Sequence, residues 1–246
     1  MAAFIRKRVK AARRRGAAWV QLLDVTRLIR TAEGRARLWT RLAYRSEIHQ
    51  TTPYTAENRY PELFDFVARL APDTRRILSF GCSTGEELVA LRRRFPQAEI
   101  VGTEINPRSR RIAARRLSAD ANVVVVPPGE ITGKFDAIFA LAVFQLEPHT
   151  VEEVGTEDLS GLYPFQRFDD AVTGLVERIE PGGLLCVINS HYRVEDSSVA
   201  AALQPVKESP LAPGPYFGAD GRRIGKVTSR TVFRKRARAA RPGGGR

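Results

Sequence analysis

The 246 residues contain two cysteines, one methionine, two tryptophans and three histidines. Cys82 and Cys186 have no partner thiols at ligand spacing, which argues against a disulfide framework and against a zinc site. A reducing, cytoplasmic location and no metal site are therefore expected. Long apolar runs are also missing: no stretch approaches the roughly 18 residues that a membrane span needs. The opening residues, MAAFIRKRVKAARRRGAAWVQLLDV, place charges where a secretory signal has its apolar run. Their Arg-rich, acid-poor character resembles a mitochondrial transit peptide, and a cytoplasmic protein fits them equally.

Acidic residues are scarce at both ends. Of the net charge of +13, residues 1–45 carry +11 and residues 222–246 carry +10, which leaves −8 for the middle. Polyanions such as RNA, DNA or an acidic membrane surface would then meet the ends and not the body. Arg-rich tails also arise simply as solubilising segments. Residues 1–45 have helical spacing, and a face with Trp19, Val20 and Leu23 beside arginines suits either an anionic lipid surface or packing on the chain's own domain.

The hydrophobic share of 43% is enough for a sizeable core. From Arg76 the pattern becomes strand, turn and helix, repeated. RILSF, AEIVGT, NVVVV, KFDAIFALAV and LLCVIN read as five strands, the third with its valines buried between covered faces. Helices are expected over Glu86–Phe95, Pro107–Leu117 and Phe165–Ile179, with one more over Glu195–Leu203. A turn at Asp220–Gly221 and a last strand over Val227–Phe233 follow. This alternation predicts an α/β, Rossmann-like and mostly parallel sheet with helices on both faces and an antiparallel C-terminal strand. The expected organisation is a basic helical N-terminal extension over 1–70, a ligand-binding domain over 71–235 and a disordered basic tail over 236–246.

The segment ILSFGCSTGEELVAL runs from a strand through a Gly-rich turn into a helix, which aims backbone N–H groups at a ligand. Gly81 and Gly85 allow close approach of the backbone. Glu104 stands at the end of the next strand, where a carboxylate accepts from both ribose hydroxyls of an adenosine. Two other chemistries share these residues. Gly81-Cys82-Ser83-Thr84-Gly85 matches the G-x-S-x-G elbow of α/β hydrolases, with Ser83 as nucleophile and Asp136 and His191 following in order. The helical character of residues 1–70 and the lack of a Gly-rich oxyanion loop upstream count against it. A nicotinamide-binding fingerprint fails at Ser83 and Glu86, where glycines would be needed.

Four segments carry a family resemblance. RILSFGCSTGEEL resembles motif I of class I S-adenosylmethionine-dependent methyltransferases, and EIVGTEINPRSRRIAARR their second motif. KFDAIFALAVFQ is similar to the fourth-strand motif, and LVERIEPGGLLCVIN to the helix, turn and fifth strand. GCSTGEE is closest to the chemotaxis-receptor glutamate methyltransferases, but their Arg-Asn pair is replaced by Ala140-Leu141-Ala142, so the resemblance stops at the superfamily. Many members place an acid two residues before the first glycine to hold the methionine amino group. Here that residue is Ser79, and the resemblance passes the role to Glu86. It implies S-adenosylmethionine as cofactor, with Gly81, Cys82, Ser83, Gly85 and Glu86 at the methionine end. Glu104 and Ile105 would take the ribose and adenine, Gly129, Glu130 and Ile131 the adenine edge, and Leu141 to Phe144 the floor near the sulfonium.

The acceptor site is expected outside the carboxyl ends of the fourth and fifth strands. Gln145, Glu147, His149 and Tyr163 belong to one candidate loop, and Asn189, His191 and Tyr192 to the other. His49, Tyr54, Arg59 and Tyr60 are placed to close from the N-terminal side. His191 is the first candidate for a general base, should the acceptor need one. The expected function is methyl transfer to a small-molecule acceptor. The alternative is a nucleic-acid-associated methyltransferase whose basic termini track phosphates.

Overall fold

Short apolar runs bounded by glycine, proline and charge form the strands. They are β1 (Arg76–Phe80), β2 (Glu99–Thr103), β3 (Val123–Val126), β4 (Phe135–Leu141) and β5 (Ile179–Ile188). All five pair in parallel, in the order β3-β2-β1-β4-β5. The sheet continues through β7 (Val232–Lys235), antiparallel to β5, and ends at β6 (Leu203–Pro205), antiparallel to β7. The result is the expected mixed, mostly parallel Rossmann-like sheet. The computed structural model describes residues 30–44, 48–50, 56, 58–225 and 227–237.

Three helices precede or bridge the first strands: α2 (Pro61–Leu70), α3 (Glu86–Arg94) and α4 (Pro107–Arg116). On the far side of β4 come α5 (Pro148–Glu153) and α6 (Phe165–Glu177). The chain moves outward from β1 through β2 to β3, then returns past β1 to β4 and β5. Because parallel crossovers are right-handed, the two directions of travel put helices on opposite faces. Leu78, Ile138, Leu185 and Phe233 form one register row across four strands, and all are buried. Their neighbours Ile77, Ala137, Phe139, Leu184, Cys186 and Val232 face the other way, into the core formed with Leu63, Phe64, Val67, Leu88 and Leu91.

Several expectations change. The chain divides into compact units of residues 1–45 and 46–246, and α2 lies in the second. Leu63, Phe64 and Val67 explain this, since α2 buries that stripe in the main core. In the first unit α1 (Ala32–Ala43) starts at Thr31, whose hydroxyl accepts from the Gly34 amide at 3.0 Å. Trp19, Val20, Leu23, Tyr54 and residues 238–246 lie outside the described residues.

β3 is the edge strand and Val124 is 46% exposed, so its valines are not buried on both faces. The helix expected over Glu195–Leu203 is two 3-10 turns, Val194–Asp196 and Ala200–Ala202, and Leu203 opens β6. There the side chains of Asp196 and Ser197 bond locally and compete with the helical ladder. Helix α6 stops at Glu177, and β5 already begins at Ile179. Its pairing jumps from Phe135–Ile179 to Ala137–Leu184, so the Pro181-Gly182-Gly183 turn is a bulge within the strand.

Candidate functional site

The sheet reverses direction between β1 and β4, and loops at the carboxyl ends of these strands line the crevice where open α/β sheets take ligands. The first loop is the glycine turn. Gly81 has φ +81°, and a Cβ there would come within 2.6 Å of Val143 Cγ2. Gly85 has φ +92°, and a Cβ there would meet Ala113 of α4 at 3.1 Å. Both positions thus need glycine for conformation and for space. The Gly81 and Cys82 amides donate to the Thr103 carbonyl at 2.9 and 3.0 Å, tying the turn to the end of β2.

Glu104 joins the two loops. Its Oε2 accepts from the Ser83 amide at 2.9 Å and its Oε1 from the Asn106 amide at 2.7 Å. Asn106 in turn caps α4, its side chain accepting from the Arg108 and Ser109 amides. Burial pushes the Glu104 carboxyl up, against these N–H donors and the Arg110 charge. An ionised carboxylate has about four acceptor positions, so these amides leave room for a ligand hydroxyl. Close by, Ser83 Oγ and Thr103 Oγ1 are buried with no partner among the described residues. A buried hydroxyl left unpaired costs about 1–3 kcal/mol, so these two orphans mark a place for a polar ligand.

The two glutamates that open α3 differ. Glu86 accepts from Thr84 Oγ1 and pairs with Arg116 at 2.8 Å, which ties it to α4. Glu87 turns inward and accepts from Ser79 Oγ at 2.7 Å. Burial raises its pKa to about 8, against the Ser79 bond and the Arg59 charge. The sequence assignment had named Glu86. The inward carboxylate beside Ser79 is Glu87, which shares a helical stripe with the buried Ala90 and Leu91. Ile105 follows Glu104 and is half-buried. In the turn after β3, Ile131 is buried and Glu130 exposed. Leu141 ends β4 and is buried.

Aromatic rings fill the other half of the crevice. His49 Nδ1 and Tyr163 Oη are 2.6 Å apart, although 114 residues separate them. His49 also stands edge-on to Phe144, with centroids 5.2 Å apart, and 6.2 Å from Phe80. Burial first, and then the Arg167 charge, hold its pKa down at about 4. Tyr192 donates to the Tyr163 carbonyl. Asn189, at φ +52°, donates to Tyr60 Oη at 2.9 Å. Gln145 Nε2 lies 3.5 Å from the Ala142 carbonyl. His149 is exposed on α5 and does not join the cluster.

His191 is buried, and its Nε2 donates to the Leu146 carbonyl at 2.9 Å. Its ring packs edge-on to Phe217. That imidazole braces the loop after β4. The hydrolase triad does not assemble either. Asp136 sits at the amino end of β4 with Oδ2 accepting from the Arg75 and Arg76 amides, at the opposite end of the sheet from Ser83. A cavity of about 340 Å³ also lies at that far end, between Thr74, Asp136, Pro181 and Arg234, away from the glycine turn.

Residues 78–154, from the middle of β1 to the end of α5, match the model of a methyltransferase domain family. Through this segment, about a third of its length, the chain is similar to methyltransferases. Within the curated proteins it is similar to a trans-aconitate 2-methyltransferase of Rhodopseudomonas palustris (strain BisB18), 33% identical over 119 residues. That match covers 47% of this chain and 38% of the relative, so the chain spans under two fifths of the relative's length. Loosely similar solved structures include TehB from Haemophilus influenzae, at 13% identity and TM-score 0.49 over 74% of this chain and 64% of that one. Another is the N-methyltransferase NodS from Bradyrhizobium japonicum WM9 with S-adenosyl-L-homocysteine, at 16% identity and TM-score 0.47 over 80% and 98%.

Proposed function

We propose that this chain binds S-adenosylmethionine in the Gly81–Glu104 crevice and transfers its methyl group to a small-molecule acceptor. The observation that carries this reading is Glu104, held by the Ser83 and Asn106 amides at the end of β2 with acceptor capacity left for a ribose hydroxyl. The orphaned Ser83 Oγ, and the space that glycine keeps open at residue 81, suit the same ligand. When bound, the cofactor supplies a methyl group on a sulfonium, an electrophile already activated for displacement.

The chain's own residues orient and enclose. Glu104 takes the ribose hydroxyls, and Ile105, Glu130 and Ile131 border the adenine. Glu87, and not Glu86, takes the methionine ammonium, since its carboxylate is the one turned inward beside Ser79. Leu141 and the Ala142–Phe144 turn form the floor under the reacting carbon. Aligning acceptor, methyl and sulfur then supplies much of the rate, because bringing reactants into line removes an entropic barrier. The aromatic half, with His49, Tyr163, Asn189 and Tyr192, borders the acceptor and excludes water. A relative named for a small organic acid supports a small acceptor over a polymer. Buried, free Cys82 and Cys186 fit a reducing, cytoplasmic setting.

Calorimetric titration of S-adenosylmethionine into the full chain tests the reading, with micromolar binding expected. No binding would remove the cofactor assignment and every role derived from it.

A further inference from the structure

Three consecutive residues are each held by a different element over the carboxyl ends of β1 and β4. The Ile48 carbonyl accepts from Arg167 Nη1 of α6 at 3.3 Å. His49 Nδ1 meets Tyr163 Oη, and Gln50 Nε2 reaches the Ala142 carbonyl at 3.4 Å. His49 therefore stands between Phe80, the last residue of β1, and Phe144, just beyond β4. In the reading above, that is where an acceptor approaches the methyl group.

The charges around this corner have one sign. Among the described residues Arg167 is the charge that acts on His49, and no carboxylate does. Helix α6 begins at Phe165 with no acid in its first turn and no side-chain cap, so its positive end is uncompensated. The glycine turn across the crevice has Glu86, Glu87 and Glu104. With the Tyr163 phenol, whose burial holds its proton firmly, as the donor to His49 Nδ1, the imidazole proton sits on Nε2. Arg167 donates from Nη1 to the Ile48 carbonyl and has further N–H donors. The corner thus presents donors and a cation inside aromatic walls.

Acceptor types differ in what they ask of such a corner. A hydroxyl must lose its proton as the methyl arrives, and a base works best with a pKa near the operating pH. His49, held near 4 by burial and Arg167, is a weak base for that task. An amine is cationic at neutral pH and Arg167 repels it. A carboxylate is already nucleophilic, is attracted by Arg167, and accepts from His49 Nε2–H.

We propose that the atom methylated is a carboxylate oxygen, so that the product is a methyl ester, with Arg167 and His49 gripping the acid. An oxygen lone pair forms the C–O bond, the C–S bond breaks with its pair left on sulfur, and no proton moves. Tyr163 is a positioning residue that fixes the tautomer of His49. This inference rests on the methyl-transfer reading.

The test uses the full chain saturated with S-adenosylhomocysteine and follows the imidazole resonances of its three histidines by NMR. Benzoate and glutarate are titrated against benzyl alcohol, benzylamine and cadaverine. The acids should shift His49 with Kd in the range of about 1–10 mM, while His149 stays unmoved. Arg167→Leu should weaken this by about tenfold or more and Arg167→Lys by less, as expected for a charge-assisted contact. A larger His49 shift with the alcohol or the amines, or none with either acid, overturns the proposal. Methyl-labelled S-adenosylmethionine gives a second readout: label placed on acids should be released as methanol by mild alkali. Alkali-stable label on a hydroxyl or amine would overturn the ester assignment. Failure of S-adenosylhomocysteine itself to bind would count against the methyl-transfer reading instead.

Discussion

The two halves of the crevice are built from different materials. The glycine-turn half is made by main chain: Ser83 and Asn106 amides on Glu104, Gly81 and Cys82 amides on Thr103, and two glycines at positive φ. Its residues span 79 to 110, a short stretch of sequence. The aromatic half is made by side chains drawn from across the chain, with His49, Phe80, Phe144, Tyr163, Tyr192 and Phe217 in ring contact. A ligand common to a superfamily is held by backbone geometry, which tolerates drift in side chains. A ligand peculiar to one protein is held by side chains, which are free to change without disturbing the sheet.

The largest effect that would break this division is at Glu104. Glu104→Ala removes both proposed ribose bonds, and bonds to a charged group contribute about 1.5–3 kcal/mol each. Affinity for S-adenosylmethionine should fall by two orders of magnitude or more (about 3 kcal/mol), with the fold retained by circular dichroism. A variant that binds within a few-fold of wild type would move the cofactor out of this crevice.

Next in size is an opposition in pH between the halves. The folded-state pKa of Glu87 is about 8 against 4.5 unfolded, so the native state holds an extra proton between those values. Stability without ligand should fall as pH rises through that window, by at most about 1.4 kcal/mol per pH unit. His49 does the reverse. Its pKa is about 4 folded against 6.5 unfolded, so its contribution is complete above 6.5 and is lost as pH falls toward 4. Urea midpoints across pH should therefore drop on both sides. Glu87→Gln should flatten the alkaline limb and His49→Asn the acid limb. Each substitution acting on the wrong limb would show that the titrating groups are misassigned.

Ligand binding sharpens the Glu87 assignment. An ammonium needs the ionised carboxylate, so affinity for S-adenosylmethionine should rise by up to about tenfold per pH unit below 8 and level off above it. The Glu87→Gln profile should be flat and weak. A wild-type profile with no slope below pH 8 would place the ammonium elsewhere.

The same contrast explains what was legible in the sequence. The alternation of strands and helices and the glycine turn follow from patterns local to a strand, a turn and a helix, and the spacing from Gly81 to Glu104 is likewise a local feature. Histidine alone did not. His191 looked like a base because it follows β5, but its Nε2 is spent on the Leu146 carbonyl. His49 looked like a loop residue, and only tertiary packing brings it to Tyr163, 114 residues away. Val124 was misjudged because a run of valines does not tell an inner strand from an edge.

The smallest expected effect discriminates most sharply within the glycine-turn half. Glu86 and Glu87 are adjacent, and a string comparison treats them as equivalent. On a helix they point about 100° apart, so one faces α4 and the other the sheet. The partner of Glu86 is Arg116, whose side chain is 38% exposed. Such a solvent-screened pair contributes at most about 1 kcal/mol, so Glu86→Gln should cost little stability. Affinity for S-adenosylmethionine should then stay within about threefold of wild type, since a screened pair lost on α4 touches no proposed ligand atom. If Glu86→Gln instead weakens binding as much as Glu87→Gln, the ammonium bridges both carboxylates. The inward turn of Glu87 toward Ser79 would then be a feature of the free protein that the ligand rearranges.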